Sequence, residues 1–187
     1  RFTDIAGKMQ HVTQHIDTID EDALTEGFMF DGSSIAGWKA INESDMTLMP
    51  DLYRAYIDPF FAQPTLALFC DVLEPSSGEA YERDPRGTAK AALAHVESLG
   101  IADTAFFGPE AEFFIFEDVK IDVSMNRGLY SVDSVEGPYN SARKYGEGNL
   151  GHRPGVKGGY FPVPPVDSGQ DIRSEMVSVM ADMGVAV

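Results

Sequence analysis

Glu110 and Glu112, within the stretch FGPEAEFFIFEDV (Phe107–Val119), constrain this chain more tightly than any other residues. A Gly-Pro break precedes them, and an aromatic and β-branched run of the kind that forms strands follows. The pattern predicts a strand over residues 113–119. On a strand successive side chains alternate faces, so two glutamates two positions apart point the same way, with Cβ atoms about 6.5–7 Å apart. Phe114 and Phe116 continue that face and Phe113 and Ile115 line the other, which predicts a strand buried on both sides. Carboxylates carried into such a setting are costly unless a cation or a basic partner meets them. Two carboxylates at this spacing suit one or two hard divalent cations, which prefer oxygen ligands. The residues also leave open an exposed strand end carrying two ordinary glutamates.

Composition narrows the classes. At 187 residues, 43% hydrophobic and 11% aromatic, the chain can bury a sizeable core as one domain or two small ones. A formal net charge of −16 argues against a basic face for nucleic acid. The single cysteine, Cys70, excludes an internal disulfide and fits a reducing compartment. It sits in the apolar run TLALFC and reads as buried and inert. No stretch reaches the apolar length of a membrane span, and no signal peptide is visible. There is no Walker loop, dinucleotide glycine motif, zinc-type Cys/His spacing, nucleophile elbow or internal repeat. The chain opens at Arg1-Phe2-Thr3 and stops at Val187, and both ends read as cut from something longer.

In chain order, Phe2 to Thr13 predicts a hairpin turning at Ala6-Gly7-Lys8. Asp20 starts a short helix that Gly27 closes. Residues 28–50 show neither the helical nor the strand period, yet Phe28, Phe30, Ile35 and Trp38 argue against disorder. An ordered, functional loop is expected there, with Trp38 as its packing anchor. Extended pieces follow at Asp45–Met49, Arg54–Asp58 and Thr65–Asp71, with a break at Pro50-Asp51. The sequence Pro75-Ser-Ser-Gly78 is the linker candidate, placing a boundary within residues 74–83. Asp84-Pro85 opens a helix with an apolar stripe at Ala89, Ala92, Leu93, Val96 and Leu99, ended by Gly100; His95 is a surface residue. Residues 118–145 predict loops with one hairpin. In residues 151–168, closely spaced Gly and Pro fix the backbone and His152, Arg153, Lys157 and Tyr160 supply polar tips. The basic groups there suit an anionic substrate or phosphate, or equally neutralise nearby aspartates. Asp167-Ser168 is the expected cap of a last helix with the stripe Ile172, Met176, Val179, Met180 and Met183.

Three long motifs stand in order: FDGSSIAGWKAINESDMTLMPD (30–51), FGPEAEFFIF (107–116) and GHRPGVKGGYFPVPPVDSGQDIRSEM (151–176). Together they resemble the N-terminal part of bacterial type I glutamine synthetase, collinearly and over nearly the whole chain; only residues 118–147 add nothing. The resemblance implies an α+β fold: a small β-grasp-like domain over residues 1–80, then the start of an antiparallel-sheet α+β catalytic domain over 81–187. It implies ligation of ammonium to L-glutamate through a γ-glutamyl phosphate, with ATP as substrate and two to three Mg²⁺ or Mn²⁺ ions per complete site. By the same resemblance Glu110 is a ligand of the ATP-side metal and Glu112 of the glutamate-side metal. Asp31 binds ammonium and takes its proton, and Ser34 and Tyr160 complete that pocket. The implied assembly is a cytoplasmic dodecamer of two hexameric rings in which the Asp31 loop reaches the neighbouring subunit's site. Less than half of the family's subunit is represented, so these residues contribute to a site without completing one. Two other readings stay open: a non-catalytic homologue or assembly fragment, and a related ligase using another amine.

Overall fold

The computed structural model describes residues 1–144 and 154–187, which form two compact units, Arg1–Phe107 and Gly108–Val187. His152 and Arg153 lie outside the described residues.

In the first unit the expected hairpin forms: β1 (Phe2–Thr3) pairs antiparallel with β2 (Met9–Gln10), and Gly7 turns the chain at φ 81°. Asp4 fixes the turn. Its buried carboxylate accepts hydrogen bonds from Gln10 Nε2 at 2.9 Å and from the N–H groups of Ala6 and Lys8 at 2.9 and 3.0 Å. These bonds, Gln10's foremost, hold the carboxyl below its ordinary pKa. Asp20 caps α1 (Glu21–Glu26) by accepting from the Ala23 N–H at 2.8 Å, and Gly27 ends it at φ 87°.

The unit's main sheet has the order β3 (Phe28–Asp31), β4 (Asp45–Ile57), β5 (Leu66–Leu73), all antiparallel. The structure corrects the sequence reading twice here. Residues 28–31 are a strand, with Phe28 and Phe30 half-buried and Met29 and Asp31 exposed; four residues are too short a run for period 2 to stand out in a glycine- and serine-rich segment. Pro50 is not a break either, and β4 runs through it. It stands opposite Cys70, whose N–H donates away from β4 to the Arg1 carbonyl at 2.8 Å. That makes the Pro50–Cys70 pair a non-hydrogen-bonded one, and the missing proline N–H faces the side beyond the start of β3, where it breaks no ladder bond. The strand instead bulges between Asp51 and Ala55, where its register to β5 shifts. Arg1 adds a parallel bridge at the other edge, its nitrogen donating to the Leu68 carbonyl at 2.8 Å.

One face of this sheet carries the core: Phe2, Trp38, Met46, Leu48, Cys70, Val72 and Tyr81, with Phe28, Phe30 and Ile35 packed against it. Trp38, 5% exposed, sits between the rings of Phe2, Phe30 and Tyr81 at centroid distances of 5.5, 6.1 and 5.2 Å. It is the anchor the sequence predicts. Cys70 is buried as expected, and desolvation pushes its thiol pKa up. Asp84 caps α2 (Pro85–Ser98) and also ties it to the sheet: Oδ1 accepts from the Arg86 N–H at 3.0 Å and Oδ2 from the Val72 N–H at 3.2 Å. Arg86 pairs with Asp51 and Asp71, and Lys90 with Asp71, so charge on β4 and β5 holds the first turns of the helix.

The second unit contains a hairpin of β6 (Asp118–Ser124) and β7 (Arg127–Asp133), joined by the two-residue turn Met125-Asn126, and α3 (Gln170–Asp182). Two expectations change. Only Asp118 and Val119 of the strand predicted over 113–119 lie in a strand; residues 102–116 carry no regular structure, and Phe114 is 80% exposed. An extended segment becomes a buried strand only beside another, and no strand pairs with it among the described residues. The cap of α3 is Gly169, with no side-chain cap bond; Asp167 instead accepts from the Gly169 N–H at 3.0 Å, and Ser168 donates to Glu136. The α+β class with antiparallel sheets holds throughout.

Candidate functional site

At the end of β3 the chain leaves the sheet through a 3-10 turn, Gly32–Ser34, and Asp31 is the residue that caps it. Its Oδ1 accepts from the Ser33 N–H at 2.8 Å and the Ser33 hydroxyl at 2.6 Å, and Oδ2 from the Ser34 hydroxyl at 3.4 Å. These bonds, the Ser33 hydroxyl foremost, hold the Asp31 carboxyl below its ordinary pKa. The group is therefore an exposed anion with fixed orientation. Gly32 makes this possible. It is buried, its N–H donates to the Ser44 carbonyl at 2.7 Å, and a Cβ there would stand 2.6 Å from Met46 Cγ. The strand register also puts Asp45 directly opposite Asp31 across β3 and β4, a pairing invisible without β3. Like charges facing each other across a ladder repel, and a cation between them removes the penalty. Asp31 and Ser34 thus come together, on a loop fastened from below by Trp38.

In the second unit Glu112 and Tyr160 line one open groove, with Ala111, Phe113, Phe114, Lys157 and Gly159. Glu110 lies two residues before Glu112, outside that lining. Both glutamates are exposed, which removes the burial cost that the sequence reading charged to them; neither makes a hydrogen bond or ion pair among the described residues. Tyr160 is 86% exposed and packs edge-on against Phe161 at 4.9 Å. Lys157 was legible only as a basic tip; that it stands with Glu112 and Tyr160 follows from the turn that carries it.

The donor chemistry fits a hard divalent cation, since both glutamates offer uncommitted carboxylate oxygens. Among the described residues no group of three or more His, Cys, Asp or Glu side chains converges. Glu110 and Glu112 therefore do not by themselves make a complete metal site among the described residues. No helix among the described residues is long and apolar enough to cross a membrane.

Comparison with known proteins bears on what these parts belong to. Residues 1–75 match the family described as glutamine synthetase, beta-Grasp domain, and residues 82–187 match glutamine synthetase, catalytic domain. Curated proteins named glutamine synthetase are 66% identical in Azospirillum brasilense, 62% in Rhizobium meliloti and 58% in Salmonella typhimurium, each over all 187 residues. The chain spans 40% of the length of those relatives. A cryo-electron microscopy structure of Plasmodium falciparum glutamine synthetase superposes with a TM-score of 0.79 at 23% identity, over 98% of this chain and 36% of that one, and supports the fold. On these matches, the chain belongs to the glutamine synthetase family.

Proposed function

We propose that this chain supplies part of an active site that joins ammonium to L-glutamate, giving L-glutamine. In this reading ATP transfers its terminal phosphoryl group to the γ-carboxylate and leaves as ADP, and ammonia then attacks the acyl carbon and expels phosphate. The observation that carries the proposal is the unbroken likeness to curated glutamine synthetases along the whole chain, at 57–66% identity. The roles fall on residues already described. Asp31, held as an oriented anion by Ser33 and Ser34, binds ammonium and receives its proton as the nucleophile forms. Ser34 and Tyr160 complete that pocket. Glu110 would hold a metal on the ATP side and Glu112 one on the glutamate side. Mg²⁺ or Mn²⁺ bound there would neutralise phosphate charge and polarise the reacting oxygens.

The same reading assigns a domain boundary near residue 80, supported by the separate family matches at 1–75 and 82–187. It assigns a cytoplasmic location, consistent with ATP as substrate and a lone cysteine. It also assigns a dodecamer of two hexameric rings in which the exposed Asp31 loop serves the neighbouring subunit's site. The test is glutamine formation by the protein at the length the cell makes, with ATP, L-glutamate and Mg²⁺, comparing ammonium with methylamine. Ammonium-dependent glutamine and ADP in equal amounts are expected, and Glu110→Ala is expected to lower turnover at least about a hundredfold. Preference for methylamine would instead indicate a ligase for another amine. Unchanged turnover in Glu110→Ala would remove the metal assignment.

A further inference from the structure

Residues Gly155 to Gly158 form a β-turn closed by the Gly158 N–H donating to the Gly155 carbonyl at 2.7 Å. Lys157 occupies its third position at φ 60°, whereas Val156 before it does not have positive φ. This is the dihedral pattern of a type II turn, whose third position favours glycine because a Cβ is strained there. Glycine stands at 155, 158 and 159, yet the one position that asks for it most holds a lysine. The turn aims that residue at the groove shared with Glu112 and Tyr160, and Lys157 makes no hydrogen bond or ion pair among the described residues. A strained lysine that lines the same groove as a carboxylate, yet pairs with no described residue, is poised for another anion.

We infer that Lys157 is a substrate-binding residue of this site, its ammonium group holding an oxyanion, either a carboxylate or a phosphoryl oxygen, against the groove that Glu112 lines. The inference rests on the proposed reaction for the identity of that oxyanion but not for its existence. The turn fixes the backbone from which the Lys157 side chain starts, and Gly155 and Gly159 have open space where a Cβ would stand.

The experiment uses the protein at its cellular length, with acylation of Lys157 by acetic anhydride read by mass spectrometry. L-glutamate, ATP and inorganic phosphate are each added alone, with and without Mg²⁺. Protection by at least one is expected. Protection by glutamate identifies the carboxylate as the bound group, and protection by ATP or phosphate identifies the phosphoryl oxygens. In parallel, Lys157→Met is expected to raise KM for the protecting substrate roughly tenfold or more, and Lys157→Arg to recover most of it. Lys157→Gly is expected to melt higher than wild type, because strain is relieved, while showing the same KM defect. No protection by any anion, together with unchanged KM in a folded Lys157→Met, overturns the inference even if the protein makes glutamine. Protection by phosphate in a protein that makes no glutamine would leave it standing while the proposed reaction falls.

Discussion

Asp31 shows how one residue's surroundings decide its chemistry. Its ordinary carboxyl pKa is lowered by bonds from Ser33 and Ser34, so the native state prefers the anion more than the unfolded chain does. The stabilisation this brings is complete above the ordinary carboxylate range and is lost as pH falls through the lowered native value. Ser33→Ala is expected to move the Asp31 titration back up toward the ordinary value, which carbon-detected NMR of the side-chain carboxyl would follow. An unmoved titration would mean that the Ser33 hydroxyl does not set it. Trp38 makes a different point at the same scale. Its ring is surrounded by three others, but its Nε1–H is buried without a hydrogen-bond partner among the described residues. Trp38→Ala should therefore cost about 3–5 kcal/mol by urea unfolding. Trp38→Phe should cost distinctly less, since it keeps an aromatic face and removes the unsatisfied donor.

Most features set by nearby residues were legible in the sequence, and those that depend on distant residues were not. The cap of α3, at Gly169 rather than Asp167-Ser168, is an exception among the local features. The caps at Asp20 and Asp84, the turn at Gly7 and the helix ends at Gly27 and Gly100 all follow from local chemistry, and they stand where the residues put them. Trp38 and Cys70 were readable as core because each sits among other apolar residues. The strand β3 was not readable, because its four residues acquire their character from pairing with β4. Continuity of β4 through Pro50 depends on which side of the strand has a neighbour, and no sequence window contains that fact. The Glu110–Glu112 stretch shows the limit most clearly. Its composition is that of a buried strand, but burial and pairing need partners that lie elsewhere in a fold. Of the candidate site, Asp31, Ser34 and Tyr160 were named by the family resemblance, whereas the placement of Lys157 on the groove lined by Glu112 and Tyr160 required the turn. Gly32 links the element to the site: Gly32→Ala would drive a Cβ against Met46, which is fully buried. It is expected to cost roughly 1–3 kcal/mol and to shift the Asp31 carboxyl resonance. A stable variant with an unmoved Asp31 would show that the close packing under the loop is dispensable.

At the scale of the whole molecule, the proposed assembly divides one site between copies of the chain. Asp31 belongs to an exposed loop of the first unit and the glutamate pair to the second, and the proposed assembly has each loop serve the neighbour. Closed rings make that arrangement repeat at every interface. It carries a consequence that no single-subunit enzyme shares: two variants, each inactive alone, should rescue each other. Asp31→Asn subunits retain intact glutamates, and Glu110→Ala subunits retain an intact Asp31. The decisive measurement is glutamine formation by assemblies reconstituted from an equal mixture of Asp31→Asn and Glu110→Ala, with native mass spectrometry confirming that both subunits are present. With random mixing, about a quarter of the interfaces bring an intact Asp31 to intact glutamates, so activity near a quarter of wild type is predicted. Mixed assemblies that remain as inactive as either parent would contradict the account.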